Sequence, residues 1–360
     1  MEFAPRAQFR ERLCLQLKFK VKVMRKKNNI LCIAMLVGLL CGCGNTYQYI
    51  PKDIETVEVE IVRFDSAQLE VRTDSVKQDI EKLYADYEEF MPMFVEGILR
   101  IPTEDTAYLC EMYAQFLTDT VMGFAQTNAL AKEKFANVDS LQEALNTGFS
   151  RLHYLYPEWE IPTVYLFVSG FNSTVIYYED MLGVGVDMYL GGDYPYYNNV
   201  VYDYQRPTMQ KEYVVRDVMS MYLAYNIAYN SKYNRLLEHM IFRGKQMFLI
   251  KELLPEEPAW EIIGYSKDQW DWCETYEQAI WNRIMEKRDL FKTESSVRAS
   301  YLNEGPFTAE ISQESPGRLG VWIGWQIVDS YVRNNEQVTI QELMSEGDAQ
   351  KILEQSFYKP

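Results

Sequence analysis

Apolar positions along this chain fall into three kinds of pattern: one unbroken run, several alternations of period two, and long stripes of helical spacing. The unbroken run covers residues 30–40, 11 positions ending at Leu40. Alternation comes first at residues 57–64 (VEVEIVRF), where Val57, Val59 and Ile61 share one face and predict a half-buried strand. Val76, Ile80, Leu83, Tyr84 and Tyr87 then recur at helical spacing and predict a helix over about 74–91. Further helices are predicted at 105–118 and 139–155, the latter opened by Asp139 as N-cap with Gln142 three residues on. Residues 163–169 and 174–178 are rich in β-branched and aromatic side chains. Gly170, Asn172 and Ser173 between them predict a hairpin. Residues 182–190 read as another strand, ended by Gly191-Gly192-Asp193. Beyond about residue 211 the pattern is helical, at 211–229, 232–253, 267–288, 316–334 and 339–357. One α+β domain over 55–360, mostly helical with a small β-sheet, is the simplest architecture.

The apolar run is too short to cross a bilayer, which takes about 20 residues. It follows the basic Met24-Arg25-Lys26-Lys27 and precedes Cys41-Gly42-Cys43, the layout of a lipoprotein signal. Small Gly42 makes Cys43 the lipidation candidate, whereas bulky Leu40 precedes Cys41. Met24 is the better initiator. Residues 1–42 are therefore read as an over-long start plus signal peptide, and residues 43–54 as a lipidated tether. A plain secretory signal is the alternative and would leave a soluble periplasmic protein.

Cleavage there changes the charge. Residues 1–42 hold nine of the 36 Lys and Arg and two of the 52 Asp and Glu, so residues 43–360 carry a formal −23 in place of −16. Such a body is repelled by nucleic acid and by anionic headgroups. Its expected membrane contact is the N-terminal lipid, with two or more acyl chains needed to hold firmly. Of six cysteines only Cys110 and Cys273 remain beyond the leader and lipid site; one disulfide and two free thiols both fit.

A catalytic zinc site of the H-E-x-x-H kind needs two histidines one helical turn apart. Here His153 and His239 are the only histidines, and the helix that would carry the motif reads Arg216-Asp217-Val218-Met219-Ser220. No G-x-S-x-G, no phosphate-binding G-x-x-x-x-G-K-[ST] and no dinucleotide fingerprint occurs; Gly183-Val184-Gly185 stands alone. No metal and no cofactor is expected. A two-carboxylate hydrolase leaves no readable motif and stays open. Asp187 and Asp193 either approach a common cation or belong to a structural strand and turn. Tyr189, Tyr194, Tyr196, Tyr197, Tyr202 and Tyr204 fit a glycan-stacking surface or, more blandly in a chain with 27 tyrosines, core packing. Gly317, Gly320 and Gly324 line one helix stripe, which suits close helix packing, with a groove floor as the alternative.

Several segments together resemble the gliding-motility lipoprotein GldB family of Bacteroidetes. They are the box at Cys43, Arg63-Phe64-Asp65, residues 182–195, Met240-Ile241 with Gly244-Lys245, Leu253-Leu254-Pro255, residues 315–328 and the end at Ser356-Phe357-Tyr358-Lys359-Pro360. The resemblance covers nearly all of 43–360. It implies a lipid-anchored envelope component tied to gliding or to the secretion machinery that supports it. It also implies a fold resembling a degenerate zincin-like peptidase, with Arg243 where an active relative would carry a ligating Glu. A guanidinium cannot ligate zinc but pairs well with a carboxylate. The candidate cleft or partner-binding residues are Asp187, Tyr189, Asp193, Tyr194, Arg206, Arg243, Lys245, Arg318 and Trp322. The expected role is non-catalytic, holding an envelope protein partner. A glycan- or peptide-binding lipoprotein and a hydrolase with an unrecognised carboxylate site are the alternatives. Gly44-Asn45-Thr46-Tyr47 lacks an acidic run after the cysteine, which favours the periplasmic face of the outer membrane.

Overall fold

Four short strands form the sheet: β1 (Ile61–Val62), β2 (Thr163–Phe167), β3 (Val175–Tyr178) and β4 (Met181–Gly185), in the order β1-β2-β4-β3. The computed structural model describes residues 49–360; the signal, Cys43 and most of the tether lie outside the described residues. β1 pairs with β2 and β2 with β4 in parallel, while β3 runs antiparallel to β4. The expected hairpin between 163–169 and 174–178 is therefore corrected: the hairpin joins β3 to β4. β2 pairs instead with β4, which sets Val164 beside Leu182 and Leu166 beside Val184, all facing one core. Phe167 and Met181 belong to a second, aromatic core. The strand expected over 182–190 also stops early, at Gly185, where a 3-10 turn (Val186–Met188) carries Asp187 inward.

Helices cover both faces of the sheet. Between β1 and β2 run α1 (Phe64–Gln68), α2 (Val76–Asp86), α3 (Phe90–Pro92) with a π-helical continuation (Met93–Ile98), α4 (Thr106–Thr118), α5 (Phe124–Lys134) and α6 (Asp139–Leu155). Phe64 anchors the aromatic core, its ring 4.9 Å from those of both Phe90 and Phe94. Arg63 and Asp65 flank it as a bidentate pair at 2.9 and 2.8 Å. Gln68 then reads the end of β2 as a strand would, donating to the Val168 carbonyl at 3.1 Å and accepting from its amide at 2.8 Å.

The strand expected over 57–64 shrinks to two residues because α6 takes the rest. Val57 N–H donates to Ser150 Oγ at 2.8 Å and Val59 N–H to Asn146 Oδ1 at 2.9 Å, while Gln142 Nε2 donates to the Val59 carbonyl at 2.6 Å. Two residues of extended chain advance about 6.6 Å and four residues of helix about 6.0 Å, so the two repeats nearly match. Gln142 is thus a rung of this ladder and not part of a capping box. The N-cap is Val138, with Asp139 inside the first turn.

After β4 come α7 (Val214–Asn226), α8 (Leu236–Leu253), α9 (Ala259–Ile263), α10 (Lys267–Lys287), α11 (Ser295–Leu302), α12 (Leu319–Asn334), α13 (Ile340–Ser345) and α14 (Ala349–Ser356). α8 is buried nearly all round and forms the axis of the larger core. It crosses α12 at backbone contact: a Cβ on Gly324 would sit 1.9 Å from the Met240 carbonyl oxygen. Gly317 and Gly320 meet Gly305 and Tyr301 instead, so the glycine stripe serves close packing against more than one neighbour. The helix expected over 339–357 is two helices, broken at Glu346–Asp348, and α5, α9 and α11 had no counterpart in the sequence pattern. Cys110 and Cys273 are both free thiols.

Candidate functional site

The candidate residues separate into supports and surface groups. Asp187 is fully buried and accepts from the Ser169 and Phe171 amides, each at 2.7 Å, and from Ser169 Oγ at 3.0 Å. Burial pushes its carboxyl up, and the Ser169 and Phe171 donors oppose that. Tyr197 closes the same clasp, donating to the Asp187 carbonyl at 2.7 Å and accepting from the Leu190 amide at 2.9 Å. Asp193 is exposed on the following turn. Among the described residues no group of three or more His, Cys, Asp or Glu is placed to hold a metal ion. Tyr194 is buried against Thr127, hydroxyl to hydroxyl at 2.7 Å. Arg206 donates to the Gly192 carbonyl at 2.9 Å and pins the 191–206 loop. Lys245 is buried, and its ammonium donates to the carbonyls of Leu343, Met344 and Glu346, the end of α13. Trp322 is 1 % exposed and meets Trp270 edge-on at 6.1 Å.

Two candidates, with a partner the sequence reading missed, meet at a small polar cleft of about 60 Å³ lined by Arg216 and Arg318. Tyr189 stands behind it: its hydroxyl donates to Asp217 Oδ2 at 2.9 Å, and Asp217 Oδ1 accepts from Arg216 Nε at 2.8 Å. Arg216 Nη1 donates to the Glu261 carbonyl at 3.2 Å. Gly264 beside it has φ +78°, a backbone that favours glycine, and a Cβ there would press on Arg216 Nη1 at 2.7 Å. Arg318 caps α12 in the left-handed region, φ 60°, a conformation that costs a non-glycine residue roughly 1–2 kcal/mol. That backbone holds its guanidinium in the cleft, where Nη1 donates to the Ile263 carbonyl at 3.2 Å and lies 3.6 Å from Glu304. Burial lowers the Arg318 guanidinium from its ordinary value; Glu304 opposes the fall, and Arg216 and Arg243 add to it.

Arg243 belongs to a second depression of about 440 Å³, a groove between α8 and α11 that also holds Arg298 and His239. Leu302 and Asn303 line the groove and Glu304 and Gly305 line the cleft, so the two adjoin along one stretch of chain. Arg216 carries no signal of its own in the sequence, where its helix stands out only as lacking a zinc motif, and Arg298 lies on α11, which the periodicity does not predict. A readable signal existed for Arg243: positions three and four residues either side of it are His239, Met240, Gln246 and Met247, none of them acidic.

Fold and site together define a helix-rich α+β protein with guanidinium-lined depressions on an acidic body. No helix among the described residues is long and apolar enough to cross a membrane. Residues 48–360 match the family described as gliding motility protein GldB, and the chain belongs to that family. Membership places it among the membrane-anchored lipoproteins of the envelope that are associated with gliding motility. No curated protein and no solved structure matches the chain. The resemblance to a zincin-like peptidase fold accordingly finds no support, either in a structural relative or in the small mixed sheet.

Proposed function

We propose that this protein is a non-catalytic holding component of the gliding or secretion machinery, tethered by lipid at Cys43 on the periplasmic face of the outer membrane. The observation that carries the reading is the adjoining pair of depressions, with Arg216 and Arg318 in one and Arg243 and Arg298 in the other. Guanidinium groups gathered on a body of formal charge −23 favour an anionic partner surface, since complementary charge steers encounter and fixes register.

The test is made in cells. A photo-crosslinking residue in place of exposed Asn303, which borders both depressions, is expected to capture an envelope protein of the motility or secretion machinery. Capture of glycan alone, or of nothing, would overturn the reading. The Cys43→Ala variant is expected to leave the membrane fraction, and its retention there would sink the lipid tether.

A further inference from the structure

The groove between α8 and α11 has the form of a trough with matched walls. α8 contributes His239, Phe242 and Arg243, and α11 contributes Arg298 and Leu302, each set spaced so that one helix face carries it. Tyr229 closes one end, its ring stacked on His239 at 4.6 Å and 12° and meeting Phe242 edge-on at 5.3 Å. No carboxylate side chain lines the trough. Glu238, the acidic neighbour on α8, is already held by Arg235 through both oxygens, at 2.9 and 3.1 Å from Nε. Arg243 is exposed and donates to Gln246 Oε1 at 3.3 Å. Arg298 donates to the carbonyls of Asn234 and Thr293. Among the described residues neither arginine has an acidic partner within ion-pair distance, although acidic side chains outnumber basic ones by 50 to 27 over residues 43–360. Burial, Arg298 and Arg243 lower the His239 imidazole from its ordinary value, and Glu238 opposes them.

We propose that this trough docks an acidic peptide segment of a partner protein, its carboxylates paired with Arg243 and Arg298 and its apolar side chains on Phe242 and Leu302. The proposal rests on the holding role above and names the chemistry of what is held. Planar guanidiniums suit carboxylates, which they take two oxygens at a time. The volume lies in the range of ligand-binding depressions, about 300–1,000 Å³. Phe242 and Leu302 give nothing to a free inorganic anion. A flat anionic bilayer fits the trough less well than a peptide does, and the charge of −23 repels it.

The experiment uses the full chain and a fluorescent peptide of alternating Glu and Leu, read by anisotropy. The same peptide with Gln for Glu, and vesicles containing an anionic phospholipid, are measured beside it. The Glu peptide is expected to bind at least about tenfold more tightly than the Gln peptide and to weaken as salt rises. Arg243→Gln and Arg298→Gln should each weaken it about tenfold, Arg243→Lys less, and the remote Arg72→Gln not at all. Arg298 also ties down the start of α11, so the exposed Arg243 variants, checked by thermal melting, decide the matter. Equal affinity for the two peptides, or indifference to Arg243→Gln, overturns the proposal. So does arginine-dependent binding to the vesicles with none to the peptide. Failure here with an envelope protein still captured at Asn303 would sink the peptide site alone. Peptide binding with no capture in cells would keep the trough's chemistry and sink the holding role.

Discussion

At the scale of single residues, Lys245 shows how the fold answers a buried charge, with the carbonyls of Leu343, Met344 and Glu346. Burial pushes its ammonium down to about 8 from an ordinary 10.5, against the pull of Glu346. Between those two pH values the unfolded chain holds the proton and the folded chain does not, so this group's contribution to stability rises with pH across the window. In denaturation measured at pH 8 and pH 10, the stability of the parent minus that of Lys245→Met should grow by on the order of 2 kcal/mol. A constant difference would show that the ammonium is not desolvated by the fold. Lys245 was legible in the sequence as a notable residue, but its role was not: the carbonyls it caps lie about 100 residues away at the end of α13. Asp187 is similar, since the amides it gathers belong to a loop on the far side of the hairpin.

At the scale of elements, spacing within one segment was readable and pairing between segments was not. Residues 139–155 came out of the pattern as one helix, because an amphipathic stripe is a local property, although the cap is Val138 and not the expected Asp139. The partner of β2 was misread, because sequence proximity favours a hairpin while the core selects the parallel neighbour that puts Leu182 and Val184 beside Val164 and Leu166. α11 was missed because an eight-residue helix with polar neighbours shows too little periodicity, and with it went Arg298 and half of the trough. The α8–α12 crossing gives this scale its prediction. A methyl group at Gly324 would press on main-chain atoms of Met240, which cannot swing aside as a side chain can. Gly324→Ala should cost about 3 kcal/mol or more in chemical denaturation, at or above the usual range for overpacking. A loss under about 0.5 kcal/mol, the scale of an ordinary surface change, would mean the two helices separate easily.

At the scale of the whole molecule, a body with a net acidic charge gathers four guanidinium groups at one adjoining pair of depressions, and that contrast is what the proposed holding role uses. The ladder of Gln142, Asn146 and Ser150 adds a mechanical consequence. A molecule anchored at one end and gripped by its partner elsewhere stands in series between them, so whatever force moves the partner also stretches the chain. Tension entering on the N-terminal side of residue 57 meets rungs one helical turn apart on α6, running alongside the pulled strand. Bonds arranged in that way are sheared together instead of unzipped one by one, and they shield β1 behind them. In single-molecule pulling of the full chain from its N-terminal side, Asn146→Ala should lower the first rupture force and leave later unfolding steps where they were. An unchanged first rupture would mean the strain passes the ladder by. The same three side chains that shorten a predicted strand would then act as a strain relief, keeping a tug on the leash from reaching the fold.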